Sequence, residues 1–178
     1  MKPIHILAVG GTIDAEEYDF TQGKVIRFGE AAVRAVLRKV RPDIPVDANL
    51  TVFPQKDSSE MTDEDRERIR AFCLSHPCKR IVITHGTDTM RKTGWVLTGL
   101  LQDGHMTDKT IVLTGSLPYY IDPEYAAFNI GSAITACQIL PAGVYIAMGG
   151  EIVPIELAEK VRVHPVNFFV AKDGKAHF

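Results

Sequence analysis

The sequence predicts an α/β fold: a doubly wound, mostly parallel sheet with helices on both faces, in a single domain of residues 1–178. The main observation is that short runs rich in β-branched residues alternate with segments of helical periodicity. The helical segments are also long enough to serve as crossovers between parallel strands. Finally, no repeat, low-complexity tract or Pro/Gly/Ser-rich linker divides the 178 residues, so one domain is expected.

Five apolar runs are the main strand candidates: IHILAV, LTVFPQ, RIVIT, TIVLTG and GVYIAMGG. The first two are apolar at successive positions, which is typical of strands buried on both faces. KVIRF is a further short candidate. The tail, VNFFVAKDGKAHF, predicts a hairpin that turns at Asp173-Gly174.

Four segments with helical patterns lie between these strands. GEAAVRAVLRKV is closed by the region of Pro42 and Pro45, and KTGWVLTGLLQD forms the third helix. TDEDRERIRAFCLSH begins with Thr62 as an N-cap before an acidic first turn that includes Asp65, and Pro77 ends it. PEYAAFNIGSAITACQIL carries Pro123 at its first turn, a position that proline favours.

The charge balance argues against nucleic acids and membranes as partners. Twenty basic and 22 acidic residues give a net charge of -2, without the basic footprint of a nucleic-acid-binding protein. No basic amphipathic helix and no apolar stretch of bilayer length is present. The N-terminal run MKPIHILAVGG is too short for a signal peptide.

The three cysteines predict a reducing, cytoplasmic environment. Cys73, Cys78 and Cys137 are odd in number and form no CxxC pair, so neither a disulfide framework nor a zinc site is expected. Cys73 and Cys137 fall in apolar helical patterns and are expected in the core. The six histidines are scattered without ligand spacing, so we expect surface or locally hydrogen-bonded histidines and no metal.

A nucleotide cofactor is also not expected. The stretch GGTI after the first strand lacks both the GxGxxG and the GxxxxGK[ST] spacing of phosphate-binding loops. No acidic residue ends the second strand, where it would hold a ribose. We therefore expect no cofactor.

Four strand candidates end in glycine, as GGT, HGTDT, GS and GG. The carboxyl ends of parallel strands share one edge of the sheet, where ligands bind at a topological switch point. Glycine there allows a close approach of the backbone to a ligand. The following polar residues are therefore expected at one crevice: Thr12, Ser58, His85, Thr87, Asp88, Thr89 and Ser116. Each alone is commonly a turn or cap residue, but two Gly-Thr pairs that follow two strands alike favour a site.

A threonine nucleophile needs a partner that takes its proton. No Ser-His-Asp set with a GxSxG elbow is present. A tyrosine or a lysine with a lowered pKa remains, and Tyr18, six residues after Thr12, and Lys160, past the MGG strand end, are the candidates. The spacing alone leaves the choice between them open.

The stretches AVGGTI, KDSSEMTDEDR, VITHGTDTM and VLTGSLPYYIDPEYAAFNIGSAI resemble the bacterial-type L-asparaginases, threonine amidohydrolases that act on a side-chain amide. The two Gly-Thr signatures are those by which this family is recognised. The resemblance covers essentially the whole chain but only the N-terminal domain of the usual two-domain form. It implies a short, single-domain member in which residues 1–178 are this domain and the C-terminal domain is absent.

The resemblance implies a role for each residue. Thr12 attacks the amide carbon and forms an acyl-enzyme, with Tyr18 moving its proton from a flap of residues 14–23, DAEEYDFTQG. Thr87, Asp88 and Lys160 form a second set, in which Thr87 orients the hydrolytic water. Phe20 and Arg162 are competing alignments for Tyr18 and Lys160. The implied substrate-binding residues are Gly11, Ser58, Ser59, Gly86, Asp88 and Ser116.

Two of these residues suit a zwitterionic amino acid on chemical grounds. Ser58 is the expected partner of the α-carboxylate, and Asp88, as a desolvated carboxylate beside Lys160, of the α-ammonium group. The same pairing keeps Lys160 protonated, so it is expected to polarise or carry a proton rather than act as a free base. Ser59 stands where two-domain members often have a glutamine.

The favoured function is hydrolysis of L-asparagine to L-aspartate and ammonia. The alternatives are an amidase for glutamine or another small amide, and a non-catalytic amino-acid-binding module. The second threonine argues against the module. The resemblance also implies a homodimer or homotetramer. Without a C-terminal domain, weaker substrate binding and reduced selectivity between asparagine and glutamine are expected.

Overall fold

The computed structural model describes residues 3–40, 49–102, 108–163 and 166–172. The helices are α1 (Ala32–Val40), α2 (Asp63–Ser75), α3 (Met90–Gln102) and α4 (Pro123–Ile139). The strands are β1 (His5–Gly10), β2 (Ala15–Asp19), β3 (Lys24–Phe28), β4 (Leu50–Lys56), β5 (Arg80–Thr84), β6 (Thr110–Thr114), β7 (Gly143–Met148), β8 (Glu151–Pro154), β9 (Ala158–Val163) and β10 (Val166–Ala171).

A six-stranded sheet with the order β4-β1-β5-β6-β7-β8 forms the centre of the fold. The first five strands in this order are parallel, and β8 runs antiparallel to β7. From β1 the chain first adds β4 on one side and then β5 on the other. The direction of winding therefore changes between β1 and β5, and this switch point is where open α/β sheets bind ligands.

Helices cover both faces of the sheet, so the predicted fold class is confirmed. In β1, Ile6 and Ala8 point into a core built with α1 and α4. Leu7 and Val9 point into a second core built with α2 and α3. All four side chains are at most 2% exposed, because strand side chains alternate between two covered faces. Cys73 and Cys137 are buried as expected.

Hydrogen bonds at the N-termini confirm two of the predicted helix starts. The Thr62 hydroxyl accepts from the Asp65 N–H (3.2 Å) and the Asp65 carboxylate accepts from the Thr62 N–H (2.8 Å), which makes a capping box. The Asp122 carboxylate accepts from the Tyr125 N–H (2.9 Å) just before Pro123. The second helix ends at Ser75, two residues before Pro77.

The prediction that LTVFPQ is a buried strand is wrong. β4 lies at the edge of the sheet and pairs only with β1 among the described strands. Val52 is accordingly 44% exposed. Pro54 is compatible with this position, because a proline has no N–H to donate to an outer neighbour.

Two small antiparallel pairs accompany the central sheet. The stretch after Thr12, which the sequence predicts as an acidic loop, is a β2–β3 hairpin, and KVIRF is its second strand as predicted. β10 pairs with β9, and the predicted turn at Asp173-Gly174 lies outside the described residues. Pro42 and Pro45 lie outside them as well. No helix in the described ranges has both the length and the apolarity to cross a bilayer.

Candidate active site

Two glycines bring the predicted catalytic turns together at the switch point. Gly11 follows β1 and Gly86 follows β5, and a Cβ atom on Gly11 would lie 2.2 Å from the Gly86 nitrogen. Gly11 has φ +85° and ψ 176°, a region open essentially to glycine alone. The turns that carry Thr12 and Thr87 are therefore in direct backbone contact.

Ser58 lies against the same pair of turns. A Cβ atom on Gly86 would lie 2.6 Å from Ser58 Oγ. Ser58 is 2% exposed and opens a single turn of 3₁₀ helix, Ser58–Glu60, after β4. The Thr89 hydroxyl donates to the Ser58 carbonyl (2.6 Å), which ties this turn to the one after β5. Three chain segments thus meet within van der Waals distance.

Both threonines remain partly accessible to solvent at this meeting point. Thr12 is the first residue of a 3₁₀ turn, Thr12–Asp14, and is half-buried. Thr87 is half-buried too, with its methyl group 3.6 Å from an ideal Cβ on Gly115. Gly115 precedes Ser116 after β6. The structure therefore gathers Thr12, Ser58, Thr87 and Ser116 at one edge of the sheet, and their roles stay predictions.

The Ser116 hydroxyl is a buried polar atom without a hydrogen-bond partner among the described residues. Ser116 is 5% exposed. A buried hydroxyl that lacks a partner costs about 1–3 kcal/mol. Such a group next to the two threonine turns is suited to a polar ligand atom.

Lys160 contacts Asp88, with 2.5 Å between Nζ and Oδ1. The expectation that Asp88 is desolvated is wrong, because its side chain is 49% exposed. The reason is that it projects from a turn at the sheet edge, whereas the lysine comes from β9. Lys160 faces inward there: it lies opposite Phe169, which is 1% exposed. The side chain of Arg162 is outside the described part.

Tyr18 lies on the hairpin, in β2, directly opposite Val25 of β3. Its ring packs edge-on against Phe20, with 4.9 Å between centroids. Its hydroxyl oxygen lies 3.8 Å from an ideal Cβ on Gly23, at the turn. These contacts place Tyr18 within the hairpin, and its pairing with Thr12 stays a prediction.

Asp57 is a central residue of the site that the sequence pattern did not single out. It is 5% exposed and accepts hydrogen bonds from the Ser59 N–H (2.9 Å) and hydroxyl (2.8 Å). Its second oxygen accepts from the Val25 N–H (3.2 Å) of the hairpin. Ser59 itself is exposed, and its hydroxyl is bound to Asp57. The one available signal was an aspartate directly before two serines, a common capping pattern.

His85 is fully buried and fixes the carbonyl of Gly86. Its Nδ1 lies 2.7 Å from the Gly86 oxygen and its Nε2 lies 2.8 Å from Thr93 Oγ1. A carbonyl only accepts, so Nδ1 carries the proton and the Thr93 hydroxyl donates to Nε2. Burial lowers the pKa of His85 to about 4, with a contribution from the charge of Arg66. His85 is therefore neutral, and locally hydrogen-bonded as predicted.

Arg66 places a positive charge beneath the Ser58 turn. Its side chain is 2% exposed, and Nη1 donates to the Met61 carbonyl (2.8 Å) and to Asp63 (3.1 Å). The field of a buried guanidinium favours a bound anion nearby. The helical pattern gave no signal for it, since arginine is ordinarily on the solvent face.

Asn129 on α4 joins two strand ends. Its Nδ2 donates to the Gly115 carbonyl (2.8 Å) and its Oδ1 accepts from the Gly149 N–H (2.9 Å). Asn129 is completely buried. It thereby positions the turn that leads into Ser116.

Asp14 ends the turn that begins with Thr12. Its carboxylate accepts from the Ala32 N–H (2.8 Å) at the start of α1 and from the Gln55 amide (3.2 Å). Burial raises the pKa of Asp14 to about 6, against the opposing effect of these two hydrogen bonds. Asp14 thus fixes the orientation of the Thr12 turn on α1 and β4.

No group of three or more histidine, cysteine, aspartate or glutamate side chains within the described ranges is arranged to hold a metal ion. The polar groups at the switch point are hydroxyls, backbone amides, one carboxylate and one ammonium group. This set is suited to a small zwitterion.

Residues 3–176 match the family model described as "Asparaginase, N-terminal". The chain belongs to the asparaginase family. As an asparaginase-family chain it is 31% identical over 180 residues to the glutaminase-asparaginase of Acinetobacter glutaminasificans, covering 95% of this chain and 53% of that protein. It is 32% identical over 156 residues to one component of the glutamyl-tRNA(Gln) amidotransferase of Methanococcus vannielii, covering 85% of this chain and 35% of that protein.

Solved asparaginase structures share the fold. L-asparaginase I from Vibrio cholerae superposes with a TM-score of 0.72 at 24% identity, covering 94% of this chain and 50% of that one. The thermostable L-asparaginase from Thermococcus kodakarensis gives 0.71 at 25% identity, covering 96% and 51%. The chain therefore spans about half the length of these relatives, or less.

Proposed function

We propose that the chain hydrolyses the side-chain amide of L-asparagine to L-aspartate and ammonia, with Thr12 as the nucleophile. One observation carries the proposal: Gly11 and Gly86 bring the Thr12 and Thr87 turns into contact at the switch point, beside the buried Ser58. Membership of the asparaginase family supports the choice of an amide substrate.

In the first step the Thr12 oxygen forms a bond to the amide carbon, and Tyr18 takes the hydroxyl proton. The carbon–nitrogen bond then breaks, and the leaving ammonia takes up this proton. An ester between Thr12 and the aspartyl group results. Backbone N–H groups of the two glycine turns are suited to hold the developing oxyanion, and removal of one such donor typically lowers the rate by about 10²–10³.

In the second step Thr87 orients a water molecule that attacks the ester carbon. The water gives its hydroxide to the aspartyl carbon and its proton to the Thr12 oxygen, which leaves. The ion pair of Asp88 and Lys160 supports this set, because the ammonium group polarises its neighbours and carries a proton transiently.

The polar groups around the threonines match the two ends of the substrate. Ser58, above the buried charge of Arg66, is assigned to the α-carboxylate, and Ser59 to the same turn. Asp88 is assigned to the α-ammonium group. The partnerless hydroxyl of Ser116 is suited to the side-chain amide. Gly11 and Gly86 let the backbone approach the substrate closely.

Glutamine is the second candidate substrate. Two relatives carry glutaminase-asparaginase and glutamyl-tRNA(Gln) amidotransferase in their names, so glutamine and ammonia transfer to a partner enzyme both come into question. A non-catalytic module is disfavoured because a binding protein has no use for a second, partly accessible threonine.

Ammonia release from asparagine and glutamine by the purified chain tests the proposal. We expect release with asparagine and less with glutamine, and its loss by at least 10³ in Thr12→Ala. Thr135→Ala, the same change on the exposed face of α4, is the matched control and should keep full activity. Folded protein that releases no ammonia from either amino acid would refute the proposal.

The order of the two threonines is tested by mass spectrometry of quenched reactions. Thr87→Val should accumulate an acyl adduct on Thr12, since the water then lacks its orienting hydroxyl. An adduct on Thr87 in the wild-type protein would reverse the assignment.

We also infer a cytoplasmic location and a homodimer or homotetramer. The three free cysteines among the described residues support a reducing compartment. Exposed apolar side chains on α4, Phe128 (53%) and Ile139 (73%), support association. Sedimentation at working concentration should show more than one copy, and a monomer there would contradict the inference.

A further inference from the structure

Asp57 connects two parts of the site with its two carboxylate oxygens. Oδ1 accepts from the Ser59 N–H and hydroxyl, and so holds the turn that carries Ser58. Oδ2 accepts from the Val25 N–H of the β2–β3 hairpin. The side chain is 5% exposed, so water competes little for these bonds. Loss of either set would leave a buried carboxylate incompletely bonded.

The point of attachment on the hairpin is the cross-strand partner of Tyr18. Tyr18 and Val25 are paired residues in the β2–β3 register. The Val25 side chain is itself 7% exposed, which anchors this rung of the hairpin. Whatever fixes the Val25 backbone therefore fixes the position of the Tyr18 backbone as well.

A second link between the same two segments lies on the surface. Lys24, next to Val25, pairs with Glu60 at 2.5 Å, in the turn that begins with Ser58. Both side chains are about half exposed, 50% and 52%. Exposed ion pairs of this kind contribute about 0–1 kcal/mol, so the buried bond is the stronger of the two connections.

We propose that Asp57 is a positioning residue that clamps the hairpin carrying Tyr18 to the turn carrying Ser58. The proposal rests on the function proposed above. A carboxylate bound at the Ser58 turn then orders the Asp57 oxygens, and these order the rung that holds Tyr18. Binding of the substrate's α-carboxylate and placement of the tyrosine become one event.

Amide hydrogen exchange tests the clamp directly and without any activity. In the wild-type chain the Val25 amide should exchange at least tenfold more slowly than an unprotected amide. In Asp57→Ala, peptides from residues 15–28 should exchange at least tenfold faster, while those from β5 and β6 stay unchanged. Lys24→Gln, which breaks only the surface pair, is the control and should change hairpin exchange less than threefold.

Either of two results would overturn the clamp: a Val25 amide that exchanges freely in the wild type, or a folded Asp57→Ala with unchanged hairpin exchange. Asp57→Asn serves if the alanine variant does not fold, since its single acceptor oxygen keeps one of the two links. The wild-type measurement decides the matter if neither variant folds.

Kinetics then separate positioning from mere stability. Asp57→Asn should lower kcat/KM for asparagine at least tenfold at temperatures far below unfolding, with KM raised and kcat lowered. Combined with Tyr18→Phe it should lose no more than the worse single variant, because Asp57 acts through Tyr18. Additive losses would contradict this. A wild-type chain without ammonia release would refute the proposed function, whereas unchanged hairpin exchange refutes only the clamp.

Discussion

Gly11 and Gly86 leave no space between their backbones for a side chain, since a Cβ atom on Gly11 would stand 2.2 Å from the Gly86 nitrogen. We expect Gly11→Ala to lower the free energy of unfolding by at least about 3 kcal/mol, from the strained φ of +85° and the clash together. Urea unfolding followed by circular dichroism measures it. Gly131 in α4 has no atom within 4 Å of an added Cβ, so Gly131→Ala should instead stabilise by about 0.5–1 kcal/mol.

The Lys160–Asp88 pair is expected to matter for the rate and little for stability. Lys160→Met should lower kcat for asparagine by about 10²–10⁴, the usual contribution of a positioned proton carrier. Lys79→Met breaks an equally close pair with Asp108, before β5, and should leave kcat unchanged. A Lys160→Met enzyme with normal kcat would remove the lysine from the mechanism.

Asn129→Ala should destabilise the fold by about 2–4 kcal/mol, because it leaves the Gly115 carbonyl and the Gly149 N–H unpartnered in the interior. Gln138→Ala, on the same helix, removes only a long bond of 3.4 Å to its own helix and is the control. Thermal unfolding of both variants checks the difference, and equal melting temperatures would speak against the bridge.

Asp14 should give the stability a distinct dependence on pH. Its pKa is about 6 in the fold and 3.8 in the unfolded chain, so between these values the native state holds a proton that the unfolded state has lost. Raising the pH from 4 to 7 should therefore cost about 3 kcal/mol through this group. In Asp14→Asn this part of the loss should vanish, as seen by urea unfolding at pH 4.5 and 7.5. The same pH dependence in both proteins would refute it.

Much of the architecture followed from local pattern. β1 was predictable because apolar residues on both faces mark a central strand, and Thr62 with Asp65 marks a helix start. The position of LTVFPQ was not, since apolar residues there compensate for an edge that only the sheet order reveals. Pro54 was the one local sign of that edge.

The candidate site was predictable where a motif carries its own chemistry and not where contact decides. Thr12 and Thr87 follow strands as Gly-Thr pairs, so their edge of the sheet could be inferred. Asp57 and Asn129 act through backbone groups of segments distant in the chain, which no spacing encodes. The exposure of Asp88 depends on where β9 lies, and that too is a matter of tertiary packing.

The pairing of Asp88 with Lys160 joins residues 72 positions apart, and the lysine belongs to a strand that follows the whole parallel sheet in the chain. During synthesis the two threonine turns can come together as soon as β5 has left the ribosome. The ammonium group arrives only some seventy residues later. A growing chain is therefore expected to possess its nucleophile well before it can turn over an amide, so that catalysis begins only when β9 has been laid down.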